Sequence, residues 1–166
     1  ERCARHIIQT LRDHGFTAYL AGGCVRDHLL GVEPKDFDVA TNARAEVVQR
    51  IFPNTVPVGV QFGVVVVVDD GIRYEVATFR SDGVYLDGRH PTSVHFGNAQ
   101  EDAQRRDFTI NGMFYDPLTE EIIDYVSGRE DLRAGIIRAI GDPYARFAED
   151  RLRMVRAVRL AARLDF

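Results

Sequence analysis

A run of five valines, Val64 to Val68, constrains the fold of this chain more than any other stretch. Valine is β-branched and favours strands, and an uninterrupted apolar run is typical of a strand covered on both faces. Asp69-Asp70-Gly71 follows as a turn, and the segment IRYEVATF (residues 72–79) reads as a second strand. The sequence therefore predicts a β-hairpin whose first strand lies inside a sheet.

Helices and strands interleave along the rest of the chain. The first helix is amphipathic, because its apolar residues fall on one stripe at helical spacing: Cys3, Ala4, Ile7, Ile8 and Leu11. We predict further helices over residues 25–30, from Asn42 as N-cap to near Pro53, over 99–105 and 128–132, and a long one from about Ala148. We predict further strands over residues 16–21, 35–41, 113–117 and 120–126. The fold class is therefore α/β (α+β), with a mixed, roughly five-stranded sheet packed against helices.

The segment from Arg80 to Asn98 follows a different pattern. It is rich in Gly, Asp, Ser and Pro and has no sustained periodicity. Loops of that length in a compact domain are usually functional or mobile. We therefore predict a loop here.

Composition places the chain among soluble globular proteins. Its 166 residues are 45% hydrophobic and 28% charged, and they contain no apolar run long enough to span a membrane. The N-terminal residues ERCARHIIQTLRDHG lack the apolar core of a secretory signal. Cys3 and Cys24 form no metal pattern and the five histidines are scattered. We therefore predict reduced cysteines, no zinc site and a cytoplasmic location.

Charge is distributed unevenly. The formal net charge of −4 argues against a protein coated for nucleic acid. Residues 138–166, however, hold seven arginines against four acids, so a local basic face is available for phosphate. On the predicted last helix the arginines 153, 156, 159 and 163 lie opposite an apolar face of Met154, Val155, Val158, Ala161 and Ala162. Charge alone does not distinguish a phosphate-binding face from a solvated one.

Asp36 and Asp38 are the first candidates for chemistry. On a strand, residues two apart point to the same face, with Cα atoms about 6.5 Å apart. Two carboxylates so placed can share Mg²⁺ ions, which prefer oxygen ligands. Glu75, on the second strand of the hairpin, is a candidate third carboxylate. The alternative is that these acids are solvent-facing strand positions.

Gly22-Gly23 ahead of a predicted helix is the second candidate. Glycine permits a tight strand-to-helix turn and a close approach of backbone N–H groups to a ligand. A helix N-terminus favours phosphate, and Arg26 one turn later can neutralise its charge. A glycine pair alone is only a turn, but this one precedes Asp36 by thirteen residues, with Arg26-Asp27 between them.

These two stretches, AYLAGGCVRDHLLG and KDFDVAT, resemble the GGxxRD…DxD signature of class II tRNA nucleotidyltransferases and bacterial poly(A) polymerases. That family belongs to the polymerase-β-like nucleotidyltransferase superfamily. Three further blocks occur in the family's order: RRDFTING (residues 105–112), DYVSGREDL (124–132) and AEDRLRMVRAVRLAARLDF (148–166). Gly112 departs from the family pattern, which usually has Ala there.

The resemblance implies a role for each matching position. The carboxylates of Asp36 and Asp38 would hold two Mg²⁺ ions, with Glu75 as a weaker third catalytic candidate. The remaining implied residues form a nucleotide-binding set. Its members are Gly22, Gly23 and Arg26 at the triphosphate, Arg106 and Asp107 at the ribose 2′-hydroxyl, Asn111 near the phosphates, and Asp150, Arg153, Glu149 and Arg156 around the base.

Base reading by Asp150 and Arg153 is also compatible with elementary geometry. The pattern EDRLR alone favours an exposed, salt-bridged helix turn, and it is the other motifs that favour base reading. Three residues apart on one predicted helix, they project to a common side. Together they offer an acceptor and a forked donor for the edge of C or A, with no nucleic-acid template.

The resemblance implies template-independent addition of C, C and A to the 3′ end of tRNA from CTP and ATP, with release of pyrophosphate. One alternative is a poly(A) polymerase, although the family's basic GRRFR-like segment has no counterpart in residues 57–67. Others are a CC-only or A-only adding relative, and a catalytically incomplete module that binds nucleotide or RNA. Residues 1–135 would form the catalytic head and 136–166 the beginning of a helical neck, which continues beyond Phe166. The sequence does not indicate an oligomeric state.

Overall fold

The computed structural model describes residues 2–85, 87–89 and 91–166. Its α-helices are α1 (Arg2–Asp13), α2 (Gly23–Leu29), α3 (Ala45–Ile51), α4 (Ala99–Arg105), α5 (Gly128–Ala134), α6 (Pro143–Glu149) and α7 (Leu152–Leu164). Its strands are β1 (Ala18–Ala21), β2 (Asp38–Thr41), β3 (Thr55–Gly59), β4 (Val64–Asp69), β5 (Ile72–Thr78), β6 (Arg80–Asp82), β7 (Val94–Phe96), β8 (Phe114–Asp116) and β9 (Glu121–Ile123). Short 3₁₀ helices occupy Val60–Phe62 and Thr109–Asn111.

The main sheet has the order β3-β4-β5-β2-β1-β8-β9. It is mixed, as predicted, because β2 runs parallel to β5 while the other neighbours are antiparallel. Within the described ranges it contains seven strands rather than about five. The strand missing from the prediction is β3, which contains Pro57 and is broken by an irregularity between Val56 and Gly59. Proline is tolerated there because β3 lies at the edge of the sheet.

The predicted hairpin is confirmed as β4 and β5. Asp70 and Gly71 both have positive φ, 52° and 77°, as a two-residue type I′ turn requires. β4 is paired on both sides, and Val65, Val66 and Val67 are buried on its two faces. The prediction from the valine run, a strand inside the sheet, is therefore confirmed.

The two faces of the sheet are covered by different helices. On one face the α1 residues Ile7, Ile8 and Leu11, all fully buried, pack in a core with Leu20 and Val39. Burial of each such side chain contributes about 1.5–3 kcal/mol. The opposite face carries a smaller core under α4, formed by Ala21, Ala40, Phe79, Ala99, Ala103 and Phe114. Alternation along β1 and β2 separates the two sets.

Arg80 to Asn98 forms a hairpin rather than the predicted loop. β6 and β7 pair in antiparallel register, Arg80 with Phe96 and Asp82 with Val94, and a bridge joins Tyr85 to Pro91. The strands are three residues each and mostly half-buried, so they carry no periodicity that a sequence pattern can show. Leu86 and His90 lie outside the described residues.

Two helix boundaries differ from the predictions. Arg44, not Asn42, is the N-cap residue of α3, and the Asn42 side chain instead accepts a hydrogen bond from the Thr17 amide at 2.8 Å. The long helix predicted from Ala148 is two helices, because Asp150 has extended dihedrals and ends α6. The Asp150 carboxylate accepts a hydrogen bond from the Leu152 amide at 2.9 Å, just ahead of α7, whose N-cap residue is Arg151.

Helix α7 turns its arginines towards the rest of the molecule. Arg153 is 5% exposed, whereas Met154, Val155 and Val158 are 48%, 64% and 71% exposed. The two predicted faces exist, and the apolar one faces solvent; on the basic one only Arg153 is buried, while Arg156, Arg159 and Arg163 are exposed. None of the helices in the described ranges has the length and hydropathy needed to cross a bilayer.

Candidate active site

A cleft of about 890 Å³ lies between the sheet, the β6–β7 hairpin and α7. Its walls carry nine arginines and five carboxylates, so it is locally positive in a chain of net charge −4. A positive concave surface of this size suits a polyanionic ligand such as a nucleotide. Of the predicted site residues, all but Asp36 and Glu149 line it: Gly22, Gly23, Arg26, Asp38, Glu75, Arg106, Asp107, Asn111, Asp150, Arg153 and Arg156.

Two carboxylates face this cleft from adjacent strands. Asp38 begins β2 and lies beside Glu75 of β5 in parallel register. Their neighbours Val39 and Val76 point into the α1 core, so alternation directs both acids to the opposite face. The parallel pairing of two strands, rather than one DxD strand, brings them together.

Asp36 is placed differently from the prediction. β2 begins only at Asp38, so Asp36 precedes the strand, is exposed and does not line the cleft. The expectation that both aspartates share one strand face is therefore wrong. Asp36 is still close enough for its negative charge to raise the pKa of Asp38.

The electrostatics of Asp38 fit a cation. Its pKa is raised to about 6, first by burial and then by the charge of Glu75, with Arg106 opposing and Asp36 adding to the shift. Asp38 is exposed at the cleft although protein surrounds it on its other sides, and the negative charge of Glu75 lies beside it. A divalent ion would relieve this repulsion, and oxygen donors are the ligands that Mg²⁺ prefers. Among the described residues, no three Asp, Glu, His or Cys side chains converge as a ready-made metal cage.

The Gly22-Gly23 turn lies directly under an arginine. Gly22 has φ 78° and ψ −132°, a conformation that side chains disfavour, and it is the N-cap of α2. A Cβ on Gly22 would lie 3.1 Å from Nη1 of Arg106. Glycine is therefore needed both for the turn and for this close approach.

Arg106 is held by a buried carboxylate. Its Nε and Nη2 donate to Oδ2 of Asp102 at 3.1 and 2.8 Å, and Asp102 is 1% exposed. Burial raises the pKa of Asp102, but Arg106 and Arg105 more than offset it, and the pKa lies below its usual value. These bonds use two of the three guanidinium nitrogens and leave Nη1 over Gly22, at the cleft.

Asn111 connects two other predicted residues. Its Oδ1 accepts from Nη1 of Arg26 at 2.7 Å, and its Nδ2 donates to Asp107 at 3.4 Å. Arg26 also donates to the adjacent Asp27 at 2.8 and 2.6 Å. The triphosphate and ribose candidates thus form one hydrogen-bonded wall.

Helix α7 reaches this wall through ion pairs. Nη2 of Arg156 lies 2.7 Å from Asp107, and Nη2 of Arg163 lies 3.1 Å from Asp27. The partner carboxylates are buried while both arginines are about half exposed. These contacts fix the base-reading candidates of α7 relative to the head.

Asp150 and Arg153 both line the cleft but do not share a helix, so the predicted same-helix geometry is wrong. Arg153 donates through Nη1 to Oε2 of Glu149 at 2.8 Å. Glu149 therefore lies behind Arg153 rather than on the cleft surface. This is the position from which it can orient the guanidinium.

The β6–β7 hairpin supplies cleft residues that the sequence analysis missed. The Tyr85 hydroxyl donates to Asp82 at 2.7 Å, and Arg80 Nε lies 3.1 Å from the same carboxylate. Burial and then this hydrogen bond raise the pKa of Tyr85 to about 12. The guanidinium carbon of Arg153 lies 5.8 Å from the Tyr85 ring centroid, a cation–π distance. The composition of Arg80 to Asn98 indicated a functional or mobile loop but did not indicate these contacts.

The chain belongs to the family of the poly A polymerase head domain, whose sequence profile matches residues 18–138. It is 48% identical over 161 residues to the CCA-adding enzyme of Bacillus pumilus, in an alignment covering 96% of this chain and 40% of that protein. The predicted family resemblance is confirmed. The chain spans about two fifths of the length of the curated relatives it matches.

Solved structures agree with this assignment to the family. The fold matches the crystal structure of the Bacillus stearothermophilus CCA-adding enzyme in complex with CTP, with a TM-score of 0.87 and 48% identity over 95% of this chain and 38% of that one. It also matches the Thermotoga maritima CCA-adding enzyme complexed with tRNA-CCA, with a TM-score of 0.76 and 28% identity over 99% and 38% of the two chains. The predicted mixed fold of a nucleotidyltransferase head is thereby confirmed. Nucleotidyltransferases of this family generally use divalent metals.

Proposed function

We propose that this chain is the head and the first neck helices of a template-independent nucleotidyltransferase that adds C, C and A to the 3′ end of tRNA. The observation that carries the proposal is the single cleft, in which Asp38 and Glu75 lie on one side and Asp150 and Arg153 on the other. Relatives named CCA-adding enzymes, one in complex with CTP and one with tRNA-CCA, support CTP and tRNA as partners, and a similar tRNA nucleotidyltransferase complexed with a primer tRNA and an incoming ATP analog supports ATP.

The triphosphate lies at the Gly22-Gly23 turn in this proposal. Gly22 and Gly23 line the cleft without side chains that would keep a phosphate away, and Arg26 and Nη1 of Arg106 add positive charge beside them. The ribose lies against Asp107, whose carboxylate can accept a hydrogen bond from a 2′-hydroxyl and so favour NTP over dNTP. Asn111 supports both sites through its bonds to Arg26 and Asp107.

Asp150 and Arg153 read the base edge. Among the described residues, the side-chain hydrogen bonds of Arg153 run through Nη1, so Nε and Nη2 remain for a ligand. A carboxylate acceptor and a forked donor together match the edges of C and A. Each well-made bidentate contact contributes about 1–3 kcal/mol of discrimination. Arg156 contributes positive charge at the same end of the cleft.

Asp38 and Glu75, with Asp36 beside them, are proposed to hold two Mg²⁺ ions. Bound there, these ions would supply the charge that activates the attacking hydroxyl and stabilises the leaving pyrophosphate. In the reaction the 3′-oxygen of the RNA bonds to the α-phosphorus while the bond from that phosphorus to the β-phosphate oxygen breaks, and the hydroxyl proton is released.

The head is proposed to end slightly later than residue 135. The Thr109 amide donates to Arg138 at 2.9 Å, the Ile140 amide to Asp107 at 3.1 Å, and Phe108 bridges to Ala139. These bonds attach residues 138–140 to the RRDFTING block. The neck then begins after Gly141, with Asp142 capping α6. The proposed location is the cytoplasm.

The test is incorporation of labelled CTP into a tRNA that lacks its CCA end. It is run with this chain and with a fusion that adds the part of the Bacillus stearothermophilus enzyme that this chain does not cover. We expect Mg²⁺-dependent incorporation that is lost in Asp36→Ala/Asp38→Ala and kept in Glu33→Ala, an exposed acid off the cleft. A fusion that binds CTP but adds nothing would establish a nucleotide-binding module instead.

A further inference from the structure

Arg146 of α6 is a partly buried arginine that the site described above does not use. Its side chain is 14% exposed, and it is absent from the cleft wall. Burial and the nearby charge of Arg153 lower its pKa, while Glu149 opposes the shift. A cation kept in this environment needs strong partners, and Arg146 has three.

Two of these partners are backbone carbonyls at the end of α4. Nη2 of Arg146 donates to the carbonyl of Arg105 and, at 2.8 Å, to that of Arg106. Carbonyls at a helix C-terminus carry partial negative charge, which favours a cation. Arg146 therefore holds the backbone of the segment that positions the Arg106 guanidinium and the Asp107 carboxylate at the cleft.

The third partner is the carboxylate behind the base-reading candidate. Nη1 of Arg146 donates to Oε2 of Glu149 at 2.6 Å, and the same oxygen accepts from Nη1 of Arg153 at 2.8 Å. Nη1 of Arg153 also donates to the carbonyl of Arg146 at 2.9 Å. Within the described residues, both side-chain hydrogen bonds of Arg153 thus involve Arg146 or its hydrogen-bond partner Glu149, and the Tyr85 ring adds a cation–π contact.

We propose that Arg146 is a positioning residue that sets the Arg153 guanidinium, through Glu149, at a fixed place relative to the Arg105–Arg106 backbone. This inference rests on the proposed function, because it concerns how the nucleotide base is read. The Arg146 guanidinium links the Arg105–Arg106 backbone, beside the proposed ribose site, with Glu149, which contacts the proposed base-reading residue Arg153. A lysine has the charge but not the planar fork, so it cannot span both carbonyls and the carboxylate in the same way.

The test compares kcat/KM for CTP and for UTP in the fusion protein with Arg146→Gln, Arg146→Lys and Glu149→Gln. We expect the CTP:UTP ratio to fall about tenfold in Arg146→Gln and by less in Arg146→Lys, because a displaced Arg153 reads the base edge less well. Glu149→Gln should lower the ratio to a similar extent. The double variant Arg146→Gln/Glu149→Gln should lose no more than the larger single loss, since both act through one contact. Arg133→Gln, an exposed arginine of α5 outside the cleft, is the control and should keep the wild-type ratio.

Thermal melting of every variant precedes the kinetics. If Arg146→Gln does not fold, the CTP:UTP ratio is compared in Arg146→Lys and Glu149→Gln instead. Equal losses for CTP and UTP, with the ratio within about twofold of wild type, would mean a purely structural clamp and overturn the inference alone. A wild-type fusion that adds no nucleotide would overturn the proposed function itself.

Discussion

Asp38 of β2 and Glu75 of β5 lie side by side in parallel register, and both side chains are directed to the cleft face of the sheet. No positive side chain separates them within the strands. Arg106 is the positive group that acts on the pKa of Asp38. The two negative charges repel each other, and a divalent cation bound between them would relieve that repulsion.

Asp38→Asn is expected to separate stability from activity. Its melting temperature in EDTA should equal or exceed that of wild type, because a negative charge that Glu75 repels is removed. Nucleotide addition should fall at least about a hundredfold, because a cation ligand is lost. Thermal melting and incorporation assays on the same preparations check both effects.

Mg²⁺ titration provides the control for that prediction. The melting temperature of wild type should rise with Mg²⁺ concentration, since an ion that binds only the folded state stabilises it. Asp38→Asn should show little rise. An equal rise in the two proteins would place the ion elsewhere.

Gly22→Ala is expected to cost about 2–4 kcal/mol of unfolding free energy, from backbone strain and the contact with Arg106. Gly15→Ala is the matched control, since Gly15 also has positive φ, 82°, but a Cβ there would meet nothing within 4 Å. It should cost only about 1 kcal/mol. Urea unfolding measures both, and equal costs would mean that the approach of Arg106 is not tight.

Asp131 should contribute to stability in a pH-dependent way. Its hydrogen bonds with Arg138, and then with Thr109, lower its pKa against the opposing effect of burial. Since the folded pKa lies below the unfolded value of about 3.9, the contribution is present above that value and is lost as the pH falls through the folded pKa.

Asp131→Asn should therefore cost about 1–2 kcal/mol at pH 7, and the difference from wild type should shrink below about pH 4. Urea unfolding between pH 7 and pH 3 measures it, with Glu33→Gln as an exposed control. A difference that stays constant with pH would show that the bonds act without the carboxylate charge.

Leu11→Ala and Val158→Ala test the two apolar surfaces. Leu11 is fully buried against the sheet, so truncation should cost about 2–5 kcal/mol. Val158 is 71% exposed on α7, so its truncation should cost less than about 0.5 kcal/mol in this chain. Urea unfolding of the two variants checks the difference, and comparable losses would contradict the orientation of α7.

Local signals made the β4–β5 hairpin and α1 predictable. Five valines, an Asp-Gly turn and a helical apolar stripe each encode structure within a few residues. The β6–β7 hairpin was not predictable, because its strands are short and half-buried. The break between α6 and α7 has a signal in the sequence, because Asp and Pro are frequent near helix starts. Asp142 and Pro143 begin α6, and Asp150 lies just ahead of α7.

The site was predictable in its residue types but not in its contacts. Motifs indicated Asp38, Arg106 and Arg153, yet the neighbour of Asp38 is set by strand pairing that no local pattern records. Arg163 and Asp27 meet across 136 positions for the same reason. Asp36 was misplaced because the strand starts three residues later than predicted, at Asp38 rather than Lys35.

The proposed addition of C, C and A to tRNA is tested most directly by the length of the RNA product. The fusion protein is given tRNA lacking its CCA end with CTP alone, ATP alone or both, and the products are resolved at single-nucleotide length. We expect the RNA to gain two residues with CTP alone and three with both nucleotides. The three-residue product should end in A and should not be extended. Unlimited addition of A from ATP alone, on any RNA, would contradict the proposal and establish a poly(A) polymerase.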